Sequence, residues 1–154
     1  MSAIIHKFVE ACIFKFENDK AWYLLLRRAK NESYYPNIWQ FVSGTMDEHE
    51  TAVEAARREI AEETGLTPVH VWVLPHVNSF YDQIHDTLNL SPMFAVQVSP
   101  GSLPVLSPEH SEFAWCTFEE AQRKLLWRGQ QQGLQIVHDV IIAGKEAARY
   151  VHIG

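Results

Sequence analysis

Gly44-Thr45-Met46-Asp47-Glu48-His49-Glu50-Thr51-Ala52-Val53-Glu54-Ala55-Ala56-Arg57-Arg58-Glu59-Ile60-Ala61-Glu62-Glu63-Thr64-Gly65-Leu66 is the stretch that decides the fold. Its middle specifies a helix over residues 51–64. Thr51 can cap the first turn, and Glu54, three residues on, completes a capping box. Gly65 supplies the left-handed residue that ends a helix, and Leu66 can fold back on Ile60. Val53, Ala56 and Ile60 recur at helical spacing and are expected to face a sheet.

The charges on this helix run against its dipole. Glu59, Glu62 and Glu63 stand at i, i+3 and i+4, so their carboxylates gather on one side. They occupy the last turns, where the negative end of the dipole favours cations. A helix shaped for stability alone would carry lysine or arginine there. Arg57 and Arg58 offset part of the charge, and a solvated acidic face with pairs such as Glu54–Arg58 would account for the charges taken by themselves. A divalent cation accounts for them as well.

The wider spacing separates these readings. From Gly44, five residues lead to Glu50, and seven more lead to Arg58-Glu59-Ile60-Ala61-Glu62-Glu63-Thr64-Gly65-Leu66. Every defined position matches the Nudix signature, and the chain therefore resembles the Nudix hydrolases. That resemblance implies a Nudix fold, an α/β/α sandwich with a mixed central sheet. It also implies magnesium, with manganese as the alternative, held against a diphosphate. Carried over, Glu59 and Glu63 look like direct metal ligands, and Glu62 like a further ligand or one bound through water. Gly44 would offer a backbone carbonyl near the ion. Glu50 and Arg58 resemble the pair that braces the loop, so Arg58 supports catalysis without touching substrate. The implied reaction is attack of water on phosphorus with loss of a phosphate or pyrophosphate group, driven by positioning and electrostatics.

The signature does not settle the general base. Glu109, in the loop Ser107-Pro108-Glu109-His110-Ser111-Glu112, is the candidate base or additional metal ligand, and Glu112 is the fallback. Many family members have Gly-Gly where this chain has Ser43-Gly44. Trp39-Gln40-Phe41-Val42-Ser43-Gly44, Glu109-His110 with Trp115, and a terminal helix after Trp127 resemble the dihydroneopterin triphosphate pyrophosphatases, also described as dATP pyrophosphohydrolases. The substrate so implied is a nucleoside or pterin triphosphate that loses pyrophosphate. Arg27 or Arg28 could then neutralise the outer phosphates. Tyr34, Tyr35, Trp39, Phe80 and Trp127 are candidates to stack on a flat ring. Core or rim packing is the competing role of each aromatic. His76, His85 and His138 lack metal-ligand spacing and receive no role.

Around this segment the pattern is that of one α/β domain spanning 1–154. Strands are expected at 8–16, 21–28, 39–42, 70–74, 93–98 and 113–116, with a polar loop at 30–37 and a Ser/Pro/Gly-rich loop at 99–108. The first two strands are apolar on both faces, which predicts a sheet covered on two sides. Thr117 and Glu120 form a second capping box, and 130–148 reads as a helix with Leu134, Val137 and Ile141 on one face.

Composition narrows the classes. A net charge of −6 argues against nucleic acid as a partner, because that binding needs a basic surface. It leaves a nucleotide substrate open, since a divalent cation reverses the local sign. The N-terminal residues show no signal-peptide pattern, and no apolar run is long enough to span a membrane. The expectation is a soluble protein, most simply cytoplasmic, with no membrane partner. Cys12 and Cys116 sit in apolar strand-like runs and read as buried packing. A homodimer stays open, because an apolar dimer surface reads like core. Three rivals remain. Diadenosine polyphosphate, ADP-ribose or nucleotide-sugar hydrolases differ by product. Isopentenyl diphosphate isomerases share the fold and need a Cys/Glu pair that is not evident here. A regulatory Nudix domain that binds nucleotide without catalysis usually has a degraded signature, whereas every glutamate here is intact.

Overall fold

Asn18 and Asp19 both take positive φ, 54° and 61°, and reverse the chain in two residues so that Glu17 pairs with Lys20. This turn geometry matches the twist of antiparallel strands, and Asn and Asp tolerate it best after glycine. The computed structural model describes residues 2–154; Met1 of the expected 1–154 domain lies outside the described residues.

The hairpin joins β2 (Phe8–Glu17) to β3 (Lys20–Arg28), after a short β1 (Ala3–Ile5). Then come β4 (Trp39–Gln40), β5 (Val42–Thr45), helix α1 (Ala52–Thr64), the long strands β6 (His70–Asp82) and β7 (Thr87–Gln97), and β8 (His110–Cys116). Helices α2 (Phe118–Lys124), α3 (Arg128–Ile136) and α4 (Glu146–Val151) close the chain, with a π-helical turn over Val137–Ile142 between the last two. The sheet is mixed. β1 and β2 run parallel to β7, while β6 pairs with β7, and β3 with β2, β4 and β8, in antiparallel fashion.

Alternation along the strands sorts the core into two layers, as the apolar runs of β2 and β3 predict. Val9, Ala11, Ile13, Leu24 and Leu26 pack under α1 with Ala55, Ala56 and Ile60. Cys12, Phe14, Tyr23 and Leu25 face the other way, toward Ala121, Leu134, Val137, Ile141 and Ala148. Both cysteines are free and buried in that second layer. Burying a side chain such as Ile60, fully enclosed here, stabilises by roughly 1.5–3 kcal/mol. The sandwich of helices on both faces of a mixed sheet is the expected fold class.

Helix α1 follows its local code. Thr51 accepts from the Glu54 N–H at 3.2 Å, Glu54 accepts from the Thr51 N–H at 2.8 Å, and Gly65 ends the helix at φ 66°. Other boundaries differ from the sequence reading. The strand expected at 70–74 continues to Asp82, because a register shift between Val73 and Val77 takes Pro75 out of the ladder. Proline lacks an N–H, so such an irregularity is where a strand can accept it. Likewise β7 begins at Thr87 rather than 93. The strand expected at 39–42 splits, since Trp39–Gln40 pairs with β3 while Val42–Thr45 pairs with β2. The helix expected at 130–148 does bury Leu134, Val137 and Ile141, but it stops where Gly144 turns left-handed at φ 65°. β1 was not anticipated. Among the described residues no helix is long and apolar enough to cross a membrane.

Candidate functional site

The end of β5 and the acidic turns of α1 are forced together. A Cβ at Gly44 would collide with the Glu59 carboxyl group, so any larger residue there must displace that carboxylate. Arg58 holds the approach. Its guanidinium donates twice to Glu50, Nε to Oε2 and Nη2 to Oε1, both at 2.8 Å. Nη2 also donates to the Thr45 carbonyl at 2.9 Å, and Nη1 to Glu59 at 2.8 Å and Glu62 at 3.2 Å. The Asp47 N–H donates to Glu50 at 2.9 Å, closing the loop. Arg58 thus spends itself on Glu50 and the acidic cluster. The i,i+4 pair with Glu54 that a solvated face would use is replaced, because the Glu54 carboxylate is engaged in the capping box. The Arg58 contacts hold Glu50 down at about 2 and push Arg58 further up.

The three helix carboxylates differ in setting. Glu62 is exposed, Glu59 is mostly covered, and Glu63 is 2% exposed. Burial, then the charges of Glu59 and Glu109, push the Glu63 carboxyl up to about 9, and the Ser43 N–H facing it reverses this only in part. Burial also raises Glu59, against the pull of Arg58. Glu63 Oε2 is buried with no hydrogen-bond partner among the described residues. An acid that sits dry beside other acids, with a free lone pair, is poised for a cation.

The loop before β8 brings the remaining groups. Glu63, Glu109 and His110 each offer a ligand atom within 4.8 Å of the others. Glu109 is exposed, and its backbone carbonyl accepts from the Ala29 N–H at 2.9 Å, which ties the loop to the end of β3. His110 is buried, with Nε2 3.1 Å from the Gln40 amide nitrogen and Nδ1 3.7 Å from Glu63 Oε1. With the Gln40 NH2 facing it, Nε2 accepts, which leaves the ring proton on Nδ1, buried and without a hydrogen-bond partner among the described residues. Burial, and then Arg28, hold His110 down at about 4, so it is neutral. Sequence reading gave His110 and Gln40 no role. Their burial follows from the long-range pairings Arg28 with His110 and Leu26 with Gln40, which leave no local signal.

The other expected residues divide. Glu112 is not among the groups that converge with Glu63 and pairs with Arg27 at 2.6 Å, which leaves the fallback base in an ion pair. Arg27 also donates to the Asn37 carbonyl at 3.0 Å. Arg28 donates to the Tyr34 carbonyl at 2.8 Å and pairs with Glu32 at 3.3 Å, and it is the arginine whose charge reaches His110. Tyr34 and Tyr35 are exposed, and Tyr35 meets Trp127 edge-on with ring centroids 5.0 Å apart. Phe80 is 44% exposed beside Phe8, 6.0 Å between centroids. Trp39 packs against the core under the Lys124 ammonium, 4.6 Å from the ring centroid. His76, His85 and His138 make hydrogen-bond contacts with the Gly129 carbonyl, Asp82 and the Tyr23 hydroxyl.

Comparison with known proteins adds to this geometry. The family described as NUDIX domain matches residues 6–138. An octanoyltransferase of Myxococcus xanthus is 29% identical over 125 residues, 80% of this chain and 34% of that protein. An RNA pyrophosphohydrolase of Stenotrophomonas maltophilia is 61% identical over 36 residues, 23% of this chain and 18% of that protein. The match thus spans only a part of either curated relative. Among solved structures, an Ap4A hydrolase of C. elegans in a binary complex is similar with a TM-score of 0.75 and 21% identity, covering 91% of this chain and 98% of that one. At that identity the likeness shows the fold alone.

Proposed function

This chain belongs to the Nudix family, and on that premise we propose that it is a magnesium-dependent hydrolase of a nucleoside or pterin triphosphate, releasing pyrophosphate. The observation that carries the reading is Glu63: a buried carboxyl with an unpartnered oxygen, pushed up to about 9 among Glu59, Glu109 and His110. Such a group is poorly placed as a structural element and well placed as a cation ligand. The residues therefore fit the ion that the family implies. Glu59 and Glu63 would hold it, with the Gly44 carbonyl and Glu62 as further donors. Bound there, magnesium, or manganese in its place, supplies positive charge against the phosphate oxygens.

The protein groups have separable tasks. Arg58 fixes Glu59 and the loop at Glu50, and so positions the acids. His110, neutral and held by Gln40, covers Glu63 with an uncharged ring, Nδ1 3.7 Å from Oε1. Glu109 is the exposed acid of the cluster and takes the role of general base. A water oxygen bonds to the α-phosphorus while Glu109 accepts its proton. The bond to the bridging oxygen breaks, and pyrophosphate leaves. Arg28, which pairs across the sheet with His110 where Arg27 pairs with Glu112, is the residue favoured to meet the outer phosphates. Tyr34, Tyr35, Trp127 and Phe80 supply exposed aromatic surface for a ring, whereas Trp39 is packed into the core.

Product identification tests the reading. The panel is dihydroneopterin triphosphate, dATP and the other nucleoside triphosphates, diadenosine tetraphosphate and ADP-ribose, with magnesium. Pyrophosphate from a triphosphate, with the others slow, is the expected result. Preferred cleavage of the dinucleotide or ADP-ribose would keep the hydrolase and discard the triphosphate. No turnover on any of them, with metal bound, would overturn the catalytic reading in favour of a regulatory domain.

A further inference from the structure

Between α3 and α4 the chain makes a π-helical turn, a form found mostly as single turns and often at functional sites. Beyond this turn a groove of about 440 Å³ opens, within the range of small-molecule sites. Ile141 and Gly144 line it from the turn, Ala148 from α4 and Trp72 from β6. A Cβ at Gly144 would meet nothing within 4 Å, so the groove is open to solvent there. Trp72, Ile141 and Ala148 belong to the core layer away from α1, so the groove lies across the sheet from Ile60 and its helix. Nothing in the catalytic reading uses it.

The polar lining carries one sign of charge. Lys145, Arg149 and His152 stand at i, i+4 and i+7, which puts them on one side of α4, and all three border the groove. Each is exposed, while Ala148 among them is buried. Among the described residues neither Lys145 nor Arg149 forms an ion pair or a side-chain hydrogen bond, in contrast to Arg27, Arg28 and Arg58, each tied to a glutamate. No described acid lines the groove, and Asp139 of the π-helical turn is held by the Gln135 amide at 2.9 Å. A cleft lined by one sign of charge beside low-dielectric walls concentrates the opposite charge.

The walls are held in place before any ligand arrives. His152 Nε2 lies 3.1 Å from His70 Nδ1, which leaves Nδ1 of His152 as its nitrogen for a ligand. The His152 ring meets Trp72 edge-on with centroids 5.4 Å apart, and Trp72 in turn stacks on Phe14 at 5.8 Å. Just past His152 the backbone joins the edge of β6. The Val71 N–H donates to the Gly154 carbonyl at 2.7 Å, and the Ile153 N–H donates to the Val71 carbonyl at 2.8 Å. A ligand there would lose less binding energy to ordering the site.

From this we infer that the groove between the π-helical turn, α4 and Trp72 is a second ligand site, for a small phosphomonoester. Lys145, Arg149 and His152 hold the phosphate, and Trp72, Ile141 and Ala148 receive the organic body. The planar fork of arginine matches two phosphate oxygens and lysine adds a point charge, so the pair suits a phosphate dianion better than a single carboxylate. A long polyanion fits poorly, because the groove has the volume of one small molecule and the chain as a whole carries −6. The site is independent of the hydrolase reading and of any metal.

The test follows the Trp72 indole N–H resonance, assigned through Trp72→Phe, in the full isotope-labelled chain in EDTA and phosphate-free buffer. AMP and ribose 5-phosphate are the phosphomonoester probes, and adenosine and inorganic phosphate present each half alone. At least one ester is expected to shift that resonance saturably and to bind about tenfold to a hundredfold more tightly than either half, the range set by hydrogen bonds to charged groups. Whichever ester binds more tightly tells a nucleotide from a sugar phosphate. Lys145→Ser combined with Arg149→Ser, both at exposed positions and checked for folding by near-UV circular dichroism, is expected to weaken that ester by a similar factor. No saturable shift at Trp72, a half that binds as tightly as both esters, or unchanged affinity in the folded double variant would overturn the inference. Should the double variant not fold, the native titrations decide alone. Because the readout sits at Trp72 and needs no metal, loss of this site and failure of the hydrolase reading are told apart.

Discussion

Replacing Glu63 with glutamine is expected to stabilise the metal-free protein while abolishing turnover. The Glu63 carboxyl is raised from an ordinary 4.5 to about 9. In the unfolded chain it ionises near 4.5, and in the metal-free fold it stays protonated until about 9. Between those values the native state binds the extra proton, so stability falls as pH rises. At neutral pH the gap is about two and a half units at about 1.4 kcal/mol each, or about 3 kcal/mol. Glutamine keeps the size and never ionises, so Glu63→Gln removes that penalty. For a domain of this size the gain corresponds to roughly 6–12 °C in Tm. Differential scanning calorimetry in EDTA, from about pH 5 to about pH 8, follows the difference. It is expected to be small at the acid end and to widen steadily with pH. Magnesium should reverse the order, raising the Tm of the native protein far more than that of the variant. A metal-free variant that melts with or below the native protein throughout this range would refute the account of Glu63 as a dry acid awaiting a cation.

Other perturbations probe the neighbouring contacts. Gly44→Ala puts a methyl group into the Glu59 carboxyl and is expected to lower kcat on the order of a hundredfold with the fold retained, measured by steady-state kinetics alongside circular dichroism. Native-like kcat would mean that the strand–helix approach is not needed for catalysis. Glu109→Gln is expected to reduce kcat by roughly 10²–10⁴ while metal-induced thermal stabilisation largely persists. A kcat within a few-fold of the native value would assign the base elsewhere. Glu50→Gln loses the ionised partner of Arg58, whose contacts hold the carboxyl at about 2. A depressed acid contributes stability above its unfolded value and loses it as pH falls toward the folded one. Urea unfolding should therefore show the variant weaker than the native protein near neutrality, with the gap closing between about 4.5 and about 2. A gap that does not change with pH would assign the loss to packing.

What the sequence determined by itself is what interactions three or four residues apart can specify. Thr51 with Glu54, Gly65 after the last turn, and the gathering of Glu59, Glu62 and Glu63 all lie within one helix, whose geometry follows from spacing. The double apolar character of β2 and β3 likewise announced a sheet covered on both faces. The lengths of β6 and β7 were not legible, because Pro75 reads as a terminator until a register shift against β7 accommodates it. Only the tertiary structure decided which polar groups are dry. Glu63 and exposed Glu62 are adjacent and chemically identical in sequence, and burial beneath the Glu109 loop separates them. His110 on Gln40 and Glu112 on Arg27 depend in the same way on pairings between distant segments. The physical reason is that desolvation is set by what packs over a side chain, and that covering comes from chain far away in sequence.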